Sequence, residues 1–201
     1  MHKLDSIAEL EALYATPGAV SLRKVTDHLT PLYAKWIGAS RLCILSTVGP
    51  EGTDASPRGD EGPVVSVLDS QTLALPDWRG NQRLDSLRNI VRDERVSLMF
   101  LVNGSNNVMR VNGQGFVTDD TDLRARFARK GRLPATVIII EIREVYTQCA
   151  RALIRANTWS SRDDSAGLPT VGQMMAEITQ GEEGGSVYDD DWAARAAKTM
   201  W

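Results

Sequence analysis

The spacing of apolar and polar positions changes near residue 41. Before that point, Ile7, Leu10 and Leu13 with Tyr14 recur at helical spacing, and Ser6 with Glu9 forms the capping-box pattern of a helix start. The run "TPG" at 16–18 stops that helix. A second helical stretch takes in Val25, Leu29, Leu32 and Trp36, with Thr30 and Pro31 suited to cap a new first turn, where proline is tolerated. Residues 1–38 therefore read as an N-terminal helical extension, in which Trp36 is expected to pack in a core and His28 to sit on a helix surface.

From Arg41 onward the period becomes that of strands. "RLCILSTV" runs into the turn signal "GPEG", and "TDASPRGDEG", "VVSVLD" and "QTLALP" follow, divided by Gly, Pro and Asp turns as in an antiparallel meander. Residues 82–92 predict an amphipathic helix with Leu84, Leu87 and Val91 on one face. "RVSLMFLV", "VMRVNGQGFVT" and "TVIIIEIREVYTQ" supply three further strands, with a helix at "TDLRARFA" between the last two. The glycines of "NGQGF", at 112–116, predict a bulge or tight sheet crossing, since no lysine follows to make a phosphate loop.

So many strands without regular strand-helix alternation predict an α+β, mainly β fold: a split or closed antiparallel β-barrel with flanking helices, over residues 39–160. Residues 161–201 read as a polar, glycine-rich tail with one short helix at "TVGQMMAEITQ".

Composition narrows the function classes. The chain has 201 residues, 42% hydrophobic and 24% charged, which suits a globular protein. A net charge of −3 argues against a broad nucleic-acid surface, so any anion site is local. No apolar run is long enough to span a bilayer, and acidic residues interrupt the N-terminal stretch where a secretory signal is apolar, so a cytoplasmic protein is expected. Cys43 and Cys149 are too few for a disulfide framework, and Cys43, in "LCILS", is expected to be buried and reduced. His2 and His28 lack acidic neighbours at metal-ligand spacing, and no nucleophile motif of the GxSxG kind occurs.

The chemistry concentrates in "LALPDWRGNQRLDSLRNI", residues 73–90. Arg79, Asn81 and Arg83 surround a predicted helix N-terminus, whose unpaired N–H groups and partial positive charge suit a phosphate monoester. The alternative is a solvated basic helix end, continued by Arg88 and Arg92 and paired with Asp85 or Glu94. In "SPRGD", Ser56, Arg58 and Asp60 alternate along a strand and project from one face, which would let Arg58 and Arg79 converge on one anion.

"ASPRGD", then "LALPDWRGNQRLDSLRNI", then "MRVNGQGFVTDD" together resemble the pyridoxamine 5'-phosphate oxidase-like, FMN-binding split-barrel superfamily, and within it a bacterial branch of FMN-dependent proteins. The resemblance covers roughly residues 35–160. It implies a homodimer holding two FMN molecules at its interface. By position it implies that Arg58, Arg79, Asn81, Arg83 and Ser86 hold the FMN phosphate and ribityl chain, with the backbone of Ser56, Pro57, Pro76, Asp77 and Trp78 flanking the ring. Arg110, Asn112, Cys149, Arg151 and Trp159 would be the partner chain's contribution, and Trp78 or Trp159 could supply an apolar shelf. Asn89 is a weaker candidate for the same site, its distance from the helix start also suiting a cap or surface group.

The basic C-terminal substrate pattern of pyridoxamine 5'-phosphate oxidase itself is missing; the chain ends in "DDDWAARAAKTMW", so vitamin B6 oxidation is not expected. The implied function is an FMN-dependent oxidoreductase acting on a small-molecule substrate or a nicotinamide electron donor, without nucleic acid or membrane partners. A non-catalytic flavin carrier or sensor is the alternative, and a deazaflavin or haem in place of FMN a third possibility.

Overall fold

The computed structural model describes residues 1–200. Seven strands form one antiparallel sheet: β1 (Leu42–Gly49), β2 (Gly52–Gly59), β3 (Ser66–Val67), β4 (Thr72–Asp77), β5 (Arg95–Leu101), β6 (Val108–Thr118) and β7 (Thr136–Gln148), in the order β2-β1-β5-β6-β7-β4-β3. The fold is α+β and mainly β, the split-barrel class that the strand pattern predicts.

The sheet curls because its inward residues are large and apolar. Cys43 and Leu45 of β1 and Leu98 and Phe100 of β5 alternate with more exposed positions and, with Met109 and Val111 of β6 and Ile138 and Ile140 of β7, fill one core, while Val137 and Ile139 on the other face of β7 are buried with Ala74 in a second cluster. Edge strand β2 breaks the pattern. Its inward positions, opposite Thr47, Leu45 and Cys43, are Asp54, Ser56 and Arg58. A polar row on the inner face of an edge strand cannot seal a core, so the barrel stays open beside β2.

The described residues also form eight helices: α1 (Ile7–Glu11), α2 (Ala19–Arg23), α3 (Pro31–Ile37), α4 (Asp85–Arg92), α5 (Thr121–Ala125), α6 (Arg151–Ala156), α7 (Val171–Ile178) and α8 (Gly185–Thr199). Ser6 and Thr30 cap α1 and α3 as their positions predict, accepting from the N–H groups of Glu9 and Tyr33. The stretch expected to be helical from Val25 is instead divided: α2 ends at Arg23, Thr26 pairs with Val145 of β7, and α3 starts only at Pro31. His28 accordingly lies in a loop rather than on a helix. Leu29 and Ile37 are both buried in the barrel core, against which Trp36 also packs.

Two further expectations need correction. The helix predicted over residues 82–92 begins at Asp85, and its buried side is Ser86, Asn89 and Ile90, while Leu84 and Val91 are 47% and 75% exposed. Buried hydrogen bonds outweigh hydropathy here: Asn89 Nδ2 donates to Thr47 Oγ1 (3.1 Å), so Asn89 is neither a cap nor a surface group. The tail holds more than one short helix. α7, with a complete capping box at Thr170 and Gln173, packs on the 15-residue α8, where Asp189 accepts from Thr170 Oγ1 and Gly172 N–H.

The expected bulge falls between Asn112 and Gly113, where the β6-β7 register shifts. A Cβ on Gly113 would collide with the Glu141 carbonyl, so the close crossing requires glycine at that position.

Candidate functional site

The residues that open the barrel also line a cleft of about 1700 Å³. One wall is β2 and the residue just past it, with Asp54, Ser56 and Arg58 from the inner face together with Pro57 and Asp60; the facing wall is the end of β4 and the turn into α4, from Leu75 through Ser86. The cleft thus brings together Ser56, Pro57, Arg58, Pro76, Asp77, Trp78, Arg79, Asn81, Arg83 and Ser86, which are far apart in sequence.

Their pairings differ from a simple basic cluster. Arg58 Nη1 donates to Asp77 Oδ1 at 2.6 Å, and the two side chains are only 19% and 13% exposed, so one nitrogen of Arg58 is already engaged by an internal carboxylate. Arg58 Nε is buried and has no partner among the described residues. Such a donor is costly to leave unsatisfied and marks where a ligand acceptor fits. Arg83 Nε donates to Asp85 Oδ2 (2.8 Å), while the exposed Arg79 forms no hydrogen bond or ion pair among the described residues.

The entry to α4 adds backbone donors. Leu84 takes a left-handed conformation, φ 63°, at the N-cap, and no side chain caps the first turn. Leu84 to Leu87 all line the cleft, so that first turn faces it. Ser86 Oγ donates to Asp54 Oδ2 (2.5 Å), tying the turn to β2, and Asn81 Oδ1 accepts from Arg83 N–H (3.1 Å). At the other end, Trp78 Nε1 donates to Asp60 Oδ2 (3.3 Å).

Cys43, opposite Arg58 on β1, lies beneath this wall; burial pushes its thiol up to about 12, and the nearby Arg58 charge only partly opposes that. The thiol is structural, as "LCILS" suggests.

The remaining predicted residues lie away from the cleft. Arg110 and Asn112 project from the outer face of β6, where Arg110 stacks on the Tyr146 ring (5.6 Å) and Asn112 Nδ2 donates to Glu144 (3.0 Å). Cys149 is exposed after β7, Arg151 opens α6, and Trp159 Nε1 donates to the Ser105 carbonyl (2.8 Å). None of these lines the cleft of its own chain.

Sequence reasoning missed Asp54, which the same alternation that placed Ser56 and Arg58 could have found. It also missed Arg132, Leu133, Ala135 and Met200, which approach the cleft from the loop before β7 and the end of α8 and carry no local motif.

The sequence pattern of the pyridoxamine 5'-phosphate oxidase family matches residues 29–149, and the chain belongs to that family. No curated protein matches the sequence. Among solved structures it is similar to HupZ of Group A Streptococcus (15% identity, TM-score 0.49, covering 59% of this chain and 93% of that one). It is also similar to a Lactobacillus delbrueckii protein given the provisional name pyridoxamine 5'-phosphate oxidase (25%, TM-score 0.48, 60% and 95%). A third is an FMN-binding protein of Syntrophomonas wolfei (12%, TM-score 0.43, 58% and 81%). Among the described residues, no helix is long and apolar enough to cross a membrane.

Proposed function

We propose that the chain is a flavoprotein that holds FMN in the β2-β4 cleft and works as an oxidoreductase on a small molecule or a nicotinamide donor. The observation that carries this reading is the unsatisfied Arg58 Nε, buried in a cleft that also presents the unpartnered Arg79 and the uncapped first turn of α4. A phosphate monoester supplies the acceptors that those donors lack. Trp78, Pro76 and Leu75 give the same cleft an apolar side for a flat ring. A bound flavin supplies the redox chemistry, and the protein supplies position and electrostatics.

The cleft volume exceeds the roughly 300–1000 Å³ of an ordinary small-ligand pocket, leaving room beside a flavin for a second molecule or a second chain. A homodimer is supported by the outer face of the sheet. There Leu42 and Ile44 of β1 lie beside Leu101 and Met99 of β5, with Arg110 and Asn112 on the neighbouring strand. Leu42 and Met99 are exposed and contiguous with these, the kind of apolar patch that marks an association surface.

The test is an absorption spectrum of the purified, unsupplemented protein, with mass identification of what heat releases. An FMN spectrum with FMN released is expected; a colourless protein that takes up neither FMN nor FAD overturns the reading. Sustained aerobic consumption of NADH or NADPH separates an oxidoreductase from a carrier.

A further inference from the structure

At the end of the cleft away from α4, one carboxylate joins three otherwise separate segments. Asp60 follows β2, and its side chain is 4% exposed. Its Oδ1 accepts from Gly62 N–H at 3.2 Å and from Arg129 Nη2 at 2.9 Å, and its Oδ2 accepts from Trp78 Nε1. Gly62 belongs to the loop after β2, Trp78 to the turn after β4, and Arg129 to the loop between α5 and β7.

We propose that Asp60 is a positioning residue that fixes the Trp78 indole as the wall of the cleft, at the end where a flat ligand ring lies. That assignment of the ring end rests on the flavin reading; the clamp itself does not.

The placement follows from strand geometry. Asp54, bonded to Ser86 at the start of α4, precedes Asp60 by six residues of nearly extended chain, about 20 Å at 3.3 Å per residue. The cleft is therefore elongated along β2. Its α4 end carries the backbone donors and Arg83, and its far end carries Asp60 and Trp78, so a ligand with phosphate at one end and a ring at the other lies along it. An indole wall is useful only if it holds one orientation. Trp78 has a single polar atom, and the bond from that atom to a carboxylate fixes the ring plane. Arg129 neutralises the carboxylate without occupying the cleft, which lets a nearly buried charge persist there. Asp60 itself lines the cleft, so its removal changes the wall directly as well as through Trp78.

The test uses the full chain labelled with 15N at the tryptophan indoles, with Asp60→Asn, Trp78→Phe and the double variant. Before any flavin is added, the Trp78 indole N–H signal, identified by its loss in Trp78→Phe, is expected to exchange slowly. In Asp60→Asn it should move upfield and exchange about tenfold faster, as for a lost charge-assisted bond. On titration with FMN, each single variant should bind about tenfold more weakly, and the double variant should lose clearly less than the two single losses combined.

An unchanged indole signal in Asp60→Asn overturns the clamp, whatever the protein binds. Fully additive losses overturn the positioning role, because Asp60 would then act apart from Trp78. A changed indole signal in a protein that takes up no flavin upholds the clamp and removes the flavin reading instead. Should Asp60→Asn fail to fold, Trp78→Phe carries the test, and unaltered FMN affinity in that variant overturns the proposal.

Discussion

Arg58 and Asp77 meet at 2.6 Å across the one place where the barrel is not closed by backbone hydrogen bonds. β2 pairs only with β1, and β4 only with β7 and β3, so this ion pair joins two strands that never share a ladder. It works as a clasp in the floor of the cleft.

Arg58→Ala should therefore affect more than ligand binding. It leaves Asp77 as an unpaired and nearly buried carboxylate, for which a loss of about 3 kcal/mol is expected in urea unfolding of the ligand-free protein. Equal stability of the variant and the parent would mean that the pair is no clasp.

Arg79 should behave in the opposite way. Being exposed and unpartnered, it can be replaced by alanine with little change in stability, whereas FMN affinity should fall by about 2 kcal/mol through the loss of a charge-assisted contact. Riboflavin, which has no phosphate, serves as the control. Its affinity should not respond to Arg79→Ala in calorimetric titration.

Asn89→Ala removes the donor to Thr47 inside the α4-barrel contact, and a loss of about 2 kcal/mol is expected from the unsatisfied hydroxyl and the lost packing. Thermal melting measures it. Val91→Ala, on the exposed side of the same helix, should stay within about 0.5 kcal/mol of the parent.

Cys43 gives the molecule an alkaline limit. Its thiol, ordinarily at 9.0, is raised to about 12 by burial, so below pH 9 it is protonated in both states and contributes no pH dependence. Above pH 9 only the unfolded chain releases the proton, and stability declines as pH rises toward 12. Cys43→Ala should flatten that part of the stability curve. A thiol reagent at neutral pH should label the exposed Cys149 alone in the folded protein and both cysteines after unfolding.

If the outer sheet face is a dimer surface, Met99→Glu should shift the protein toward monomer in sedimentation and release flavin together with the partner. A dimer that survives this substitution would place the interface elsewhere.

Much of this architecture is legible in the sequence because strand period is a local signal. β1 and β5 write their alternation in Leu, Ile, Val and Phe, β7 announces itself as a continuous apolar run, and the Thr30-Pro31 cap and the glycine-bearing bulge need no tertiary information. The cleft wall is legible for the same reason, since alternation alone puts Ser56 and Arg58 on one face. What was missed depends on partners distant in the chain. Arg58 is drawn to Asp77, Asn89 is buried by Thr47, and α8 is stabilised by α7, so hydropathy along the chain misjudges all three. Met200 reaches the cleft only because the tail folds back, which no local pattern encodes.

The two strand edges that face each other across the opening each carry a proline next to the clasp. Pro57 precedes Arg58 on β2, and Pro76 precedes Asp77 on β4, beyond the two residues that β3 covers. A proline fits a strand only where its missing N–H points away from the existing ladder, which is toward the gap. Neither edge can then offer a full set of rungs to the other, and a barrel built from such strands cannot zip itself shut. The slot stays open because two donors were never made.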